Sequence, residues 1–108
     1  MLTISTQKIY FYQNPVSLHK SFEGLCHLVE SSFPEKLLSG SLFVFVNRRQ
    51  NKLKILYWDT DGLAIWYKRL EKGTFRVSKD GKTELTRREF LMLLEGIKPR
   101  HLNNRFSL

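Results

Sequence analysis

Eight basic side chains fall into two short stretches: Arg48, Arg49, Lys52 and Lys54, then Lys68, Arg69, Lys72 and Arg76. Guanidinium and ammonium groups bind phosphate oxygens, the first through a planar fork of donors and the second as a point charge. Trp58, Trp66 and Tyr67 lie between the two groups. An exposed aromatic ring can stack on an unpaired base of any type. Together these residues offer chemistry for nucleic acid, with cations for the backbone and rings for bases. Aromatics in a small chain must also furnish its core, so most are expected to be buried, with Trp58 and Trp66 serving mainly core or sheet packing. The loop carrying Arg48 and Arg49 is therefore the better functional candidate.

Other chemistries find less support. Asp59 and Asp61 stand two apart, and paired acids can hold the divalent ions of nucleases and polymerases. They sit in an Asp-Thr-Asp-Gly sequence, where backbone hydrogen bonding at a turn already explains them. His19, His27 and His101 show no metal-ligand spacing. On one helix His19 and His27 would stand roughly 80° apart. Cys26 lies among Leu25, Leu28 and Val29 and reads as an inert, buried thiol. No P-loop, G-x-S-x-G or G-x-G-x-x-G occurs. No catalytic residue, metal site or cofactor is expected.

The elements that would position the basic residues follow from periodicity. Ile9 to Tyr12 suits a short strand closed by Asn14-Pro15. A helix is expected next, with Ser17 as N-cap and Leu18, Phe22, Leu25 and Val29 on one face. Gly24 weakens it by about 1 kcal/mol relative to alanine, so packing must support it. Pro34 bars its continuation. Leu42 to Val46 reads as a strand apolar on both faces, and Asn47 to Lys52 as a basic loop. Leu53 to Trp58 alternates, Asp59 to Gly62 turns, and Leu63 to Leu70 returns. The Asp61-Gly62 pair is expected to supply the turn's positive φ. Thr74 to Val77 reads as a fourth strand, followed by a second Asp-Gly turn within Ser78 to Lys82. Thr86 and Glu89 form a T-x-x-E capping box for a second helix, with Phe90, Leu93, Leu94 and Ile97 on its apolar side. Gly96 suits the position after its end, with Pro99 beyond. The expected fold class is α+β: a small, twisted, mainly antiparallel sheet with two packing helices. Residues 1–108 are expected to form a single domain, with 100–108 a tail of little periodicity.

Composition agrees with a basic partner surface. The 108 residues carry 18 Lys and Arg against 10 Asp and Glu, a net charge of +8. Residues 1–46 sum to zero, so residues 47–108 carry the whole excess. A polyanionic partner follows for that part. The longest apolar runs, 42–46 and 90–94, are far short of the roughly 20 residues that cross a bilayer. No signal peptide is read at the N-terminus, and a single cysteine allows no internal disulfide, so the cytoplasm is the expected location.

Read together, Leu42 to Arg49, Lys52 to Asp59, Asp61-Gly62 and Trp66 to Arg76 resemble a family signature. The family is the TnpB-type accessory protein of the insertion-sequence sixty-six transposons, bacterial mobile elements. It is unrelated to the RNA-guided nucleases that share the TnpB name. The resemblance covers roughly residues 9–100, and the helix around His19 to Leu25 fits it too. That helix usually opens Asp-Met-Arg-Lys in the family; here Ser17-Leu18-His19-Lys20 lacks the acid and the arginine. The resemblance implies a non-catalytic accessory to transposition, beside a separate large transposase. It carries over no catalytic residue and leaves the molecular role open. Two roles stand: contact with DNA, at the element ends, through the eight basic residues; or a protein-interaction module that binds the transposase or another accessory subunit. A metal-dependent nuclease resting on Asp59 and Asp61 ranks last. No membrane and no small-molecule substrate is expected.

Overall fold

The computed structural model describes residues 7–17, 19–33, 37–78 and 80–96. Its elements are β1 (Ile9–Phe11), α1 (Phe22–Ser32), a 3-10 turn (Leu37–Ser39), β2 (Leu42–Val46), β3 (Lys52–Asp59), β4 (Gly62–Arg69), β5 (Glu84–Leu85) and α2 (Arg87–Glu95). They form one five-stranded sheet in the order β4-β3-β2-β1-β5. β1 and β2 run parallel, with Ile9 opposite Leu42, and α1 lies in the connection between them. Every other pair is antiparallel. The fold is thus α+β with a mainly antiparallel sheet.

β2 occupies the middle of the sheet, and all five of its residues are buried. Successive side chains of a strand point to opposite faces, so the strand feeds two cores. Leu42, Val44 and Val46 join Leu53, Ile55, Phe75, Phe90 and Leu93 on the face covered by α2. Phe43 and Phe45 join Tyr10, Leu56, Leu25 and Val29 on the face covered by α1. The rings of Tyr10 and Phe43 stack at 5.8 Å, with Phe33 tilted against both. Truncating the fully buried Phe43 ring to alanine would cost about 3–5 kcal/mol.

α2 has the expected punctuation. The Thr86 hydroxyl accepts from the Glu89 backbone N–H at 3.1 Å, and the Glu89 carboxylate accepts from the Thr86 N–H at 2.8 Å. Gly96 closes the helix in the left-handed region at φ 74°. Ile97, Pro99 and the tail 100–108 lie outside the described residues, as does Leu18.

Four local expectations are corrected. α1 starts at Phe22 behind Ser21, not behind Ser17. The reason is tertiary: the Tyr12 and Val16 N–H groups donate to the Val44 and Val46 carbonyls, so the chain still runs along β2 at the point where a helix could otherwise begin. Phe22, expected on the buried face, is 45% exposed at the first turn. The Asp59–Gly62 hairpin is present, but its positive φ of 56° falls on Thr60 and not on Asp61 or Gly62. Thr74 to Val77 is not a strand; the Phe75 N–H donates to the Gln50 carbonyl at 2.6 Å, which anchors this segment to a loop in place of a ladder. The fifth strand is instead Glu84–Leu85, against β1.

Gly24 has a packing reason. A Cβ there would lie 3.3 Å from the Lys20 Cβ, so the glycine lets the preceding segment close over α1. Trp66 is partly buried against the α2-side core; Trp58 is partly buried on the other face of β3. No helix among the described residues is long and apolar enough to cross a membrane.

Candidate functional site

The β2–β3 loop is built around one side chain. The Asn47 amide oxygen accepts from the backbone N–H groups of Asn51 and Lys52, at 3.1 and 3.0 Å. Its amide nitrogen donates to the Asn51 side chain at 2.8 Å. Asparagine is suited to this local bonding, which mimics a backbone turn. Gln50 takes a positive φ of 59° to complete the bend. Two further bonds tie the loop to its surroundings: the Leu70 N–H donates to the Asn51 carbonyl, and the Phe75 N–H to the Gln50 carbonyl. The loop is therefore held on three sides, and Arg48 and Arg49 project from it exposed.

β3 and β4 carry the site onward from the loop. Lys52 pairs with Arg69, Lys54 with Tyr67, and Leu56 with Ile65. By strand alternation these six share the face that α1 packs on. Leu56 and Ile65 belong to the α1-side core, and past them the face turns basic. The Lys54 ammonium stands 5.2 Å from the Tyr67 ring centroid, a cation–π contact. It also approaches the Lys20 carbonyl at 3.5 Å, bridging to the segment before α1. A cleft of about 400 Å³ opens here, lined by Pro15, Val16, Ser17, His19, Asn47, Arg48, Arg49, Lys52 and Tyr67.

Of the eight basic residues singled out from the sequence, Arg48, Arg49 and Lys52 meet in this cleft, and Lys54 borders it through Tyr67. The other four are placed elsewhere. Arg69 shares the face but pairs with Glu71 at 3.1 Å, both side chains well exposed. Lys68 pairs with Leu53 and so faces the α2 side. Lys72 is exposed in the bend after β4. Arg76 donates from Nε to the Gly96 carbonyl at 3.2 Å, at the C-terminus of α2. Among the described residues, no acidic side chain pairs with Arg48, Arg49 or Lys52. Among the described residues no carboxylate offsets their mutual repulsion, which favours an anion in the cleft.

Two further residues line the cleft. His19, expected on a helix and without metal-ligand spacing, precedes α1. Tyr67, one of the three aromatics between the basic groups, is 50% exposed. Its signal was available, because strand alternation sets it on the face opposite Ala64, Trp66 and Lys68.

The remaining groups fall away from this site. Asp59 and Asp61 lie at the far end of the β3–β4 hairpin, about 23 Å from Lys52 at roughly 3.3 Å per residue. No group of three or more His, Cys, Asp or Glu among the described residues could hold a metal ion. Burial, and then the carboxylates of Glu30 and Glu23, push the Cys26 thiol above its ordinary value, which disfavours the nucleophilic thiolate.

Comparison with known proteins gives a consistent picture. The family described as IS66 Orf2 like protein matches residues 7–104. The uncharacterized protein y4jC of Sinorhizobium fredii is 33% identical over 92 residues, covering 83% of this chain and 79% of that relative. A second protein of the same organism, uncharacterized protein y4hO, is 27% identical over 96 residues, covering 87% and 84%. No solved structure matches.

Proposed function

Since the chain belongs to the IS66 Orf2 like family, whose role is accessory to transposition of an insertion sequence, we propose that it is a non-catalytic factor that contacts DNA through the basic end of its sheet. Arg48, Arg49 and Lys52 hold backbone phosphates, and Lys54 adds to the local field. Such contacts give affinity and register and carry no sequence information by themselves. What carries the reading is one observation: three cations without an acidic partner among the described residues gather around one cleft on a hydrogen-bonded loop. A loop already fixed in place loses less freedom on binding. The element ends are the natural DNA, and the transposase the natural neighbour.

The test is binding of element-end duplex DNA by fluorescence anisotropy over a salt series, with and without the transposase. Three phosphate contacts give a slope of log K against log salt of about −2.7, or about a 40-fold loss between 50 and 200 mM salt. No binding at low salt, together with co-purification with the transposase that survives nuclease, would replace this reading with the protein-interaction module.

A further inference from the structure

We infer that the cleft beside the β2–β3 loop takes one unpaired nucleotide of a DNA strand. Its phosphate lies against Arg48, Arg49 and Lys52, and its base lies on the ring of Tyr67. The inference rests on the DNA reading above and goes beyond it in the class of DNA preferred.

A duplex backbone needs cations alone, because its bases are stacked inside. The cleft holds more than cations. Tyr67 lines it and is 50% exposed, on a strand whose neighbouring residue Trp66 is turned into a core. Its register partner is Lys54, one pair beyond the last apolar pair of that face, so the ring has passed the end of the α1-side core. The Lys54 ammonium lies over the ring, 5.2 Å from its centroid, so a base takes the ring's other face. A ring held at the surface beside a phosphate site is what a splayed base needs, since every base presents a π-face. The concavity agrees: about 400 Å³ lies within the roughly 300–1,000 Å³ of small-ligand clefts. His19 and Asn47 supply polar groups at its edge, and Pro15 and Val16 an apolar wall. Transposition creates and joins strand ends, so unpaired nucleotides are available to such a site.

The experiment compares a blunt element-end duplex with the same duplex carrying a short single-stranded overhang. The proteins are the parent, Tyr67→Phe and Tyr67→Ala, with a thermal melt of each. The parent binds the overhang more tightly by about 5- to 150-fold, the factor that corresponds to about 1–3 kcal/mol of base–aromatic stacking. Tyr67→Phe keeps that preference. Tyr67→Ala loses it, so that its affinities for the two DNAs become equal. Equal affinity of the parent for both DNAs, or a preference that survives Tyr67→Ala, overturns the nucleotide site and leaves phosphate binding standing. Binding of neither DNA overturns both. A free mononucleotide bound more tightly than the overhang also overturns the inference, because the site would then serve a soluble nucleotide.

Discussion

Two basic regions of this molecule contrast in what their charges touch. Around α2, Arg76 and Lys82 each have a structural partner. Arg76 reaches the Gly96 carbonyl, where a positive charge also suits the negative end of the helix dipole. Lys82 meets Glu89 at 2.9 Å while Glu89 caps the other end of the same helix. At the β2–β3 loop, Arg48, Arg49 and Lys52 meet no acid among the described residues, yet Asn47 and its neighbours hold their backbone firmly. A net charge of +8 does not separate these regions; the partners of Arg76 and Lys82, set against those of Arg48, Arg49 and Lys52, do. The first region uses charge to end and orient a helix. The second holds its charge with no acid beside it among the described residues, which is what the proposed DNA contact needs.

Phe75 is where the contrast can be broken most severely. Its ring is fully buried in the α2-side core, and its N–H holds the loop through the Gln50 carbonyl. Phe75→Ala should cost about 3–5 kcal/mol by chemical denaturation. It should also loosen the loop, so DNA affinity should fall in protein that is still folded. A large loss of stability with full affinity would show that the loop stands without this anchor.

Thr86→Ala should act on one region alone. It removes half of the capping box, and stability should drop by about 1 kcal/mol, within a range of roughly 0.5–2. DNA affinity should not change. A matching loss of affinity would mean that α2 belongs to the binding surface.

A smaller effect should appear with pH. The Thr86 backbone N–H, and then the Lys82 ammonium, hold the Glu89 carboxyl below its ordinary range. The stability it adds is therefore full above the ordinary glutamate value of about 4.3 and is lost as pH falls through the depressed value. Glu89→Gln keeps an acceptor for the Thr86 N–H but removes the charge. The gap in melting temperature between parent and variant should close as pH falls below about 4. A gap that is constant with pH would show that the charge contributes nothing beyond its cap.

What the sequence revealed and what it concealed divides along physical lines. The Thr86–Glu89 box and Gly96 were legible because a helix end is decided within a few residues. β2 was legible because a run such as Leu-Phe-Val-Phe-Val has no polar side to expose. The start of α1 was not, because Val16 bonds to a strand thirty positions away in sequence. β5 was hidden because two residues carry no period. The family signature was legible from 42–76, and the family match extends over residues 7–104. At the site, the residue types were visible but not their grouping. Only the register of β3 with β4 sets Tyr67 beside Lys54, and only the fold puts His19 in the same cleft as Arg48. Arg76 and Arg49 are alike in type, and only the fold sets the Gly96 carbonyl against one of them.

The most direct test pits the two regions against each other in one salt titration of duplex DNA affinity. The proteins are the parent, Arg48→Ala/Arg49→Ala and Arg76→Ala/Lys82→Ala, the last two removing equal charge. The loop variant should melt close to the parent, since exposed changes usually lie within about ±0.5 kcal/mol. Its slope should flatten by about 2 units, from about −2.7 towards −0.9, and its loss between 50 and 200 mM salt should shrink from about 40-fold to about 3- to 4-fold. The α2 variant should melt lower and keep the parent's slope. Equal flattening in both variants would contradict the account, because DNA would then be reading net charge and not the loop.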